Sequence, residues 1–107
     1  PEPLKASVAR LLARAPRALC VTHFGRVPNA PHLGPLLVSQ IDQMATLGER
    51  LRHTQDRHRQ LCDAMRAMYR HRLDEHGFTD PDAMLVLLAD DVEINAQGLG
   101  SWLDRTA

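Results

Sequence analysis

The sequence predicts a mainly α fold: one helix and one strand, then a bundle of three or four helices. Three observations carry this. Sixteen leucines and thirteen alanines among 107 residues favour helix. Apolar side chains recur at spacings of three and four along three tracts, which places them on single helical faces. One short apolar run that lacks that period, residues 18–22, follows a helix breaker and reads as strand. The length allows one small domain with a modest core. Hydrophobic residues at 44% and charged residues at 24% make a globular composition. Thirteen basic and thirteen acidic side chains cancel, so net charge gives no argument for nucleic acid or a membrane surface.

Residues 3–14 carry a stripe of Leu4, Val8, Leu11 and Leu12, and Pro16 stops this helix because its ring breaks the hydrogen-bond ladder. Ala18-Leu19-Cys20-Val21-Thr22 follows the breaker and reads as a buried strand. With three prolines and two glycines, residues 25–35 read as loop. Leu37, Ile41, Met44, Gly48 and Leu51 then form a second helical face. Residues 52–60 are almost without apolar side chains, so a break is expected near Thr54. The third face is Leu61, Met65, Met68, Tyr69 and Leu73, stopped at Gly77. Asp80-Pro81-Asp82 has the cap, the first-turn proline and the acidic first turn of a helix start. Residues 83–89 are apolar all round and predict a short buried helix. Asp90 or Asp91 is expected to cap a last helix with Val92, Leu99, Trp102 and Leu103 inward.

A single strand cannot satisfy its own backbone groups, so the run at 18–22 is expected to need a sheet from elsewhere. The chain starts Pro-Glu-Pro, with neither Met nor a signal sequence, and reads as a piece of a longer protein. Cys20 and Cys62 form no CxxC pair and are expected as two buried free thiols in a reducing cytoplasm. No apolar run approaches the ~20 residues of a membrane span.

Six histidines offer metal chemistry: 23, 32, 53, 58, 71 and 76. His53 and His58, and His71 and His76, are five apart, which splays the rings on a helix. His58 with Cys62 and His71 with Glu75 have the i,i+4 spacing that puts two ligands on one face, but neither pair has further ligands at a fixed offset. Residues 71–76, HRLDEH, are one residue too long for the H-x-x-E-H zinc helix. His23 differs in sitting at a strand end before Phe24-Gly25, a place where sites form in α/β folds. Ser7, Ser39 and Ser101 lack a paired His and Asp pattern, and Asp90-Asp91 reads as capping. Neither a phosphate-binding loop nor a nucleophile elbow is present, so no catalytic and no cofactor-binding residue is assigned. Residues 50–73 hold seven Arg against Asp56 and Asp63, a net +5, while 74–107 hold eight acids against Arg105, a net −7. A basic helix packed beside an acidic tail explains this segregation without a ligand; an Arg patch for phosphates is the other explanation.

The helix LKASVARLLAR, the strand ALCVT and the following HFGRV resemble the last α-β unit of the metallo-β-lactamase fold, an αββα architecture. Thr22-His23-Phe24-Gly25 is similar to the motif by which that superfamily delivers its last metal-binding histidine. Asn95-Ala96-Gln97-Gly98-Leu99, then Trp102-Leu103-Asp104-Arg105, resembles the helical C-terminal extension of its glyoxalase-II-like hydrolases. The resemblance implies that residues 1–34 are the terminal helix-strand-loop of such a domain and 35–107 a helical extension. It implies one or two zinc ions, or iron, activating a water for attack on an ester, thioester or lactam carbonyl. His23 would be a metal ligand only in the complete fold. The His-x-His-x-Asp-His motif, the intermediate histidine and the bridging aspartate are absent, and one imidazole cannot hold a zinc site, so the chain alone is expected to be inactive. The implied partner is the missing N-terminal part of the same fold, with a homodimer through the helices after residue 35 as a further contact. Two other readings stand beside this one: a non-enzymatic helical dimerisation domain, and an Arg-rich nucleic-acid-binding appendage, the weaker of the two. Arg26 and His32 fall near His23 but are assigned no role.

Overall fold

The structure, a computed structural model, describes residues 1–22 and 25–107. It is mainly helical, in the order α1 (Glu2–Leu12), β1 (Ala18–Val21), β2 (Gly25–Pro28), α2 (Ala30–Leu51), α3 (Arg57–Glu75), α4 (Pro81–Leu87) and α5 (Ala89–Arg105). The chain divides into two compact units, Pro1–Gln43 and Met44–Ala107, and α2 contributes to both.

In the first unit α1 forms where the stripe predicts it. Lys5 joins Glu2 at 2.8 Å on the same helix and Asp42 at 2.6 Å on α2. The helix ends as the chain passes through Ala15, in the left-handed region at φ 49, into Pro16. The strand then finds a partner inside the chain. β1 pairs antiparallel with β2, in the register Ala18 to Pro28, Leu19 to Val27, Cys20 to Arg26 and Val21 to Gly25. The loop expected over 25–35 is therefore half strand and half helix. Two residues with positive φ make this possible. Gly25 opens β2 at φ 74, and Asn29 at φ 61 turns the chain into α2, its carbonyl accepting from the N–H groups of His32 and Leu33. Pro28 sits at a strand end and Pro31 in the first turn of α2, where a missing N–H costs little; Pro35 lies further inside and forgoes one ladder bond. Nor is β1 buried, since Cys20 and Val21 are exposed. Only one of the two expected buried thiols, Cys62, is buried; both are free.

The second unit carries a packed core. Leu61, Met65, Val92, Ala96 and Leu103 are at most 1% exposed, with Leu47, Cys62 and Tyr69 beside them. Leu61 and Met65 on α3 and Val92 and Ala96 on α5 are i,i+4 pairs, so each helix presents one short row to this core, and α3 packs on α5. The expected break at Thr54 is present between α2 and α3, with Thr54 Oγ1 donating to the Leu51 carbonyl at 2.9 Å. Arg52 joins α2 to the far end of α5: Nη1 donates to the Leu103 carbonyl at 2.7 Å and Nη2 to Thr106 Oγ1 at 3.2 Å, while Glu49 grips its other side at 2.9 and 2.8 Å. A cation placed on the last carbonyls also suits the negative end of the helix dipole.

Gly77 ends α3 as expected. At φ 76 it lets the N–H of Phe78 reach the Leu73 carbonyl and its own N–H reach that of Asp74. Asp80 caps α4 by accepting from the Ala83 N–H at 3.1 Å. The helix is not buried, however. Leu85 and Leu88, three apart, turn to the core, while Val86 and Leu87 face away at 75% and 76% exposure. A single residue, Leu88, separates α4 from α5, so Asp90 and Asp91 fall inside the first turn of α5 and neither is its cap.

Leu61→Ala should cost about 2–5 kcal/mol in urea unfolding followed by circular dichroism, and Val86→Ala no more than about 0.5 kcal/mol. Gly77→Ala should lose about 1–2 kcal/mol, because alanine is strained in the left-handed region.

Candidate functional site

The expected metal ligand His23 lies outside the described residues, together with Phe24. The described residues of the same unit form an apolar concavity. Val8, Leu11 and Leu12 of α1, Leu19 and Val21 of β1, Val27 of β2, and Leu33 and Leu37 of α2 line an open groove of about 300 Å³. Leu19, Val21 and Val27 share one face of the hairpin by the period-two rule and by cross-strand pairing. Gly34 makes room on α2, since a Cβ there would lie 2.4 Å from Leu12 Cδ1. No three metal-ligating side chains gather in this unit among the described residues.

Three such side chains do converge in the helical unit. His58 and Cys62, one turn apart on α3, meet Glu93 from α5. His58 Nε2 lies 2.9 Å from Glu93 Oε1, and Cys62 Sγ lies 3.6 Å from His58 Nε2 and 3.6 Å from Glu93 Oε2. Gln97, one turn further along α5, donates to Glu93 Oε1 at 2.8 Å and fixes the carboxylate. Cys62 is buried, while the side chains of His58 and Glu93 are about half exposed. The thiol is thus the floor of the cluster and the other two groups are its rim.

The electrostatics follow from this placement. Burial pushes the Cys62 thiol above its usual range, and the neighbouring Glu93 carboxylate adds to the rise. The hydrogen bond from Gln97 holds Glu93 below the usual carboxylate range against partial desolvation, helped by His58 and Cys62. A depressed carboxyl stabilises the fold above its unfolded pKa, and that contribution is lost as pH falls through the folded value.

The pairing of His58 with Cys62 was legible as i,i+4 spacing. Glu93 was not, because it lies 31 residues beyond Cys62 and only the packing of α3 on α5 brings it in. His71 and Glu75 meet at 3.2 Å as an exposed pair without a third donor among the described residues. The Arg-rich segment is largely engaged by carboxylates. Arg52 pairs with Glu49, Arg57 with Asp104, Arg59 with Asp56, Arg66 with Asp63 and Arg70 with Asp82. Two of these bonds, to Asp82 and Asp104, reach from the basic segment into the acidic C-terminal segment. The tail motif is also spent on packing: Asn95 donates to the Tyr69 hydroxyl at 2.8 Å, Ala96 is fully buried, and Leu99 and Trp102 lie against Gly48.

Set against protein-family models, curated proteins and solved structures, the chain matches none. Fold and geometry define a class only: a helical unit with a two-helix donor triad, joined in sequence to a helix-hairpin unit with an open apolar face. No described helix is long and apolar enough to cross a membrane.

Cys20 and Cys62 should separate in thiol labelling at neutral pH. Cys20 is exposed and should react in the native state. Cys62, buried and held protonated, should react at least about tenfold more slowly and catch up only in denaturant, since the thiolate is the reacting form. Equal native rates would show that the core around Cys62 is open.

Proposed function

We propose that this chain is the C-terminal portion of a metal-dependent hydrolase of the metallo-β-lactamase superfamily, with His23 as one ligand of a centre built mostly by residues before it. Zinc or iron in that centre would supply an activated water for attack on a carbonyl. The observation that carries the reading is the unfinished packing of the first unit. An apolar stripe runs along α1, yet that helix has no buried residue, and Leu11, Val21, Leu33 and Leu37 are 40–51% exposed around the groove. An apolar face of this extent on a helix and hairpin is what a larger sheet leaves behind when the rest of its layers are taken away. The order helix, strand, Thr22-His23-Phe24-Gly25 and helical tail supports the same reading. The described residues supply no second ligand beside His23, so no catalytic step is assigned to this chain alone.

The test is the complete natural gene product and its His23→Ala variant, compared for bound metal and for hydrolysis of simple esters and thioesters. Losing a group that merely orients a ligand costs about 10–100-fold, so losing a ligand should lower the rate by at least about 100-fold, with a fall in bound metal. Unchanged metal content and rate would remove His23 from the centre. A reading frame without His-x-His-x-Asp-His upstream would remove the family.

A second reading, a helical interaction domain that dimerises, is favoured by Val86, Leu87 and Ile94, which are 65–76% exposed on α4 and α5. Sedimentation at tens of micromolar decides it: a dimer dispersed by Leu87→Asp supports it, and a monomer ends it.

A further inference from the structure

The helical unit contains a donor set that the hydrolase reading does not use. We propose that His58, Cys62 and Glu93 bind one divalent cation of the zinc type, and that this ion bridges α3 and α5. The site is independent of His23 and lies in the other compact unit.

The donors are of the right kind. A thiolate, an imidazole and a carboxylate are all zinc ligands, and the sulfur disfavours magnesium and calcium, which take oxygen. Their spacing fits as well. With Zn–S near 2.3 Å and Zn–N or Zn–O near 2.0–2.2 Å, a tetrahedral ion sets its sulfur about 3.6 Å from each lighter donor. The two sulfur separations here are both 3.6 Å. His58 meets Glu93 through the other carboxylate oxygen, Oε1, at 2.9 Å, so the hydrogen bond must open and the two side chains turn to bring Nε2 and Oε2 to the tetrahedral value of about 3.4 Å; the three donors already lie within 4.8 Å of one another. Small rotations of two half-exposed side chains suffice for that.

The surroundings favour the same occupant. Cys62 is fixed by the core, so the softest ligand does not have to be ordered on binding. Gln97 holds the carboxylate in place, the kind of outer hydrogen bond that metal ligands use for orientation. An ion reaches the thiol from solvent between the half-exposed His58 and Glu93, and the fourth position is left to water. Arg66, the arginine whose charge acts on Cys62, is paired with Asp63 at 2.9 Å and so does not oppose it strongly. On binding, the thiol proton leaves to solvent, Sγ and Nε2 each give a lone pair to the metal, and the imidazole keeps its proton on Nδ1.

Cobalt(II) is the probe, because a cysteine thiolate bound to it gives a near-ultraviolet charge-transfer band and tetrahedral coordination gives strong visible bands. Titration of the 107-residue chain should saturate at one ion per chain, with both features, and zinc should displace them. Cys62→Ser should abolish the near-ultraviolet band, while Cys20→Ser should leave it intact. Glu93→Gln replaces a half-exposed side chain outside the core. It should keep the helical circular dichroism and weaken binding by about tenfold or more. His58→Ala should do the same. No thiolate band in the parent chain overturns the site, as does a band that follows Cys20, or an affinity unchanged in both Glu93→Gln and His58→Ala. Coordination is read here, not turnover, so these results are separate from the fate of the His23 assignment.

Discussion

The contact between α3 and α5 is the constraint on which the helical unit rests. Leu61 and Met65 meet Val92 and Ala96 in a core almost closed to solvent. Full burial of each large apolar side chain contributes about 1.5–3 kcal/mol, so these residues set the register of the two helices. That register decides more than stability. Cys62 and Glu93 each follow a core residue by one position, about 100° around the helix axis. Fixing Leu61 and Val92 therefore brings the next side chains together at the rim of the core. The polar cluster is a by-product of apolar packing, and it persists for as long as the packing does.

Much of the helical unit was legible in the sequence, because its signals are local. The stripe from Leu61 to Leu73, the break at Thr54, the stop at Gly77 and the Asp80 cap each depend on neighbours within one or two turns. The errors came where local composition and pairing disagree. Pro and Gly density over 25–35 reads as loop, yet Gly25 and Pro28 stand at the two ends of a strand that pairs with β1, and Pro31 falls in a first turn. Residues 83–89 look buried by composition alone. A helix of seven residues shows only one side to a core, so Val86 and Leu87 stay in solvent. For the donor cluster, two of the three donors were visible as spacing on one helix and the third required the tertiary contact.

The two units differ in how far their apolar side chains are satisfied. The second gathers its large aliphatic residues around one centre. The first has similar residues, but among those described only the small Ala30 and Gly34 are buried. It has a helix stripe, a four-residue ladder and, between α1 and α2, the bridge from Lys5 to Asp42. Each is worth little alone, and an exposed salt bridge contributes at most about 1 kcal/mol. A segment stabilised in this way depends on whatever covers its apolar face.

The two outer edges of the hairpin are dressed differently. β2 carries a charge at Arg26 and a proline at Pro28, both exposed, and these are the residues by which a strand resists pairing along its free side. β1, Ala-Leu-Cys-Val, has neither. Growth of this sheet is thus discouraged in one direction and open in the other. If nothing covers β1, its bare rim is also where copies of the chain would stick to one another, so the edge without charge or proline is the one at which association would begin.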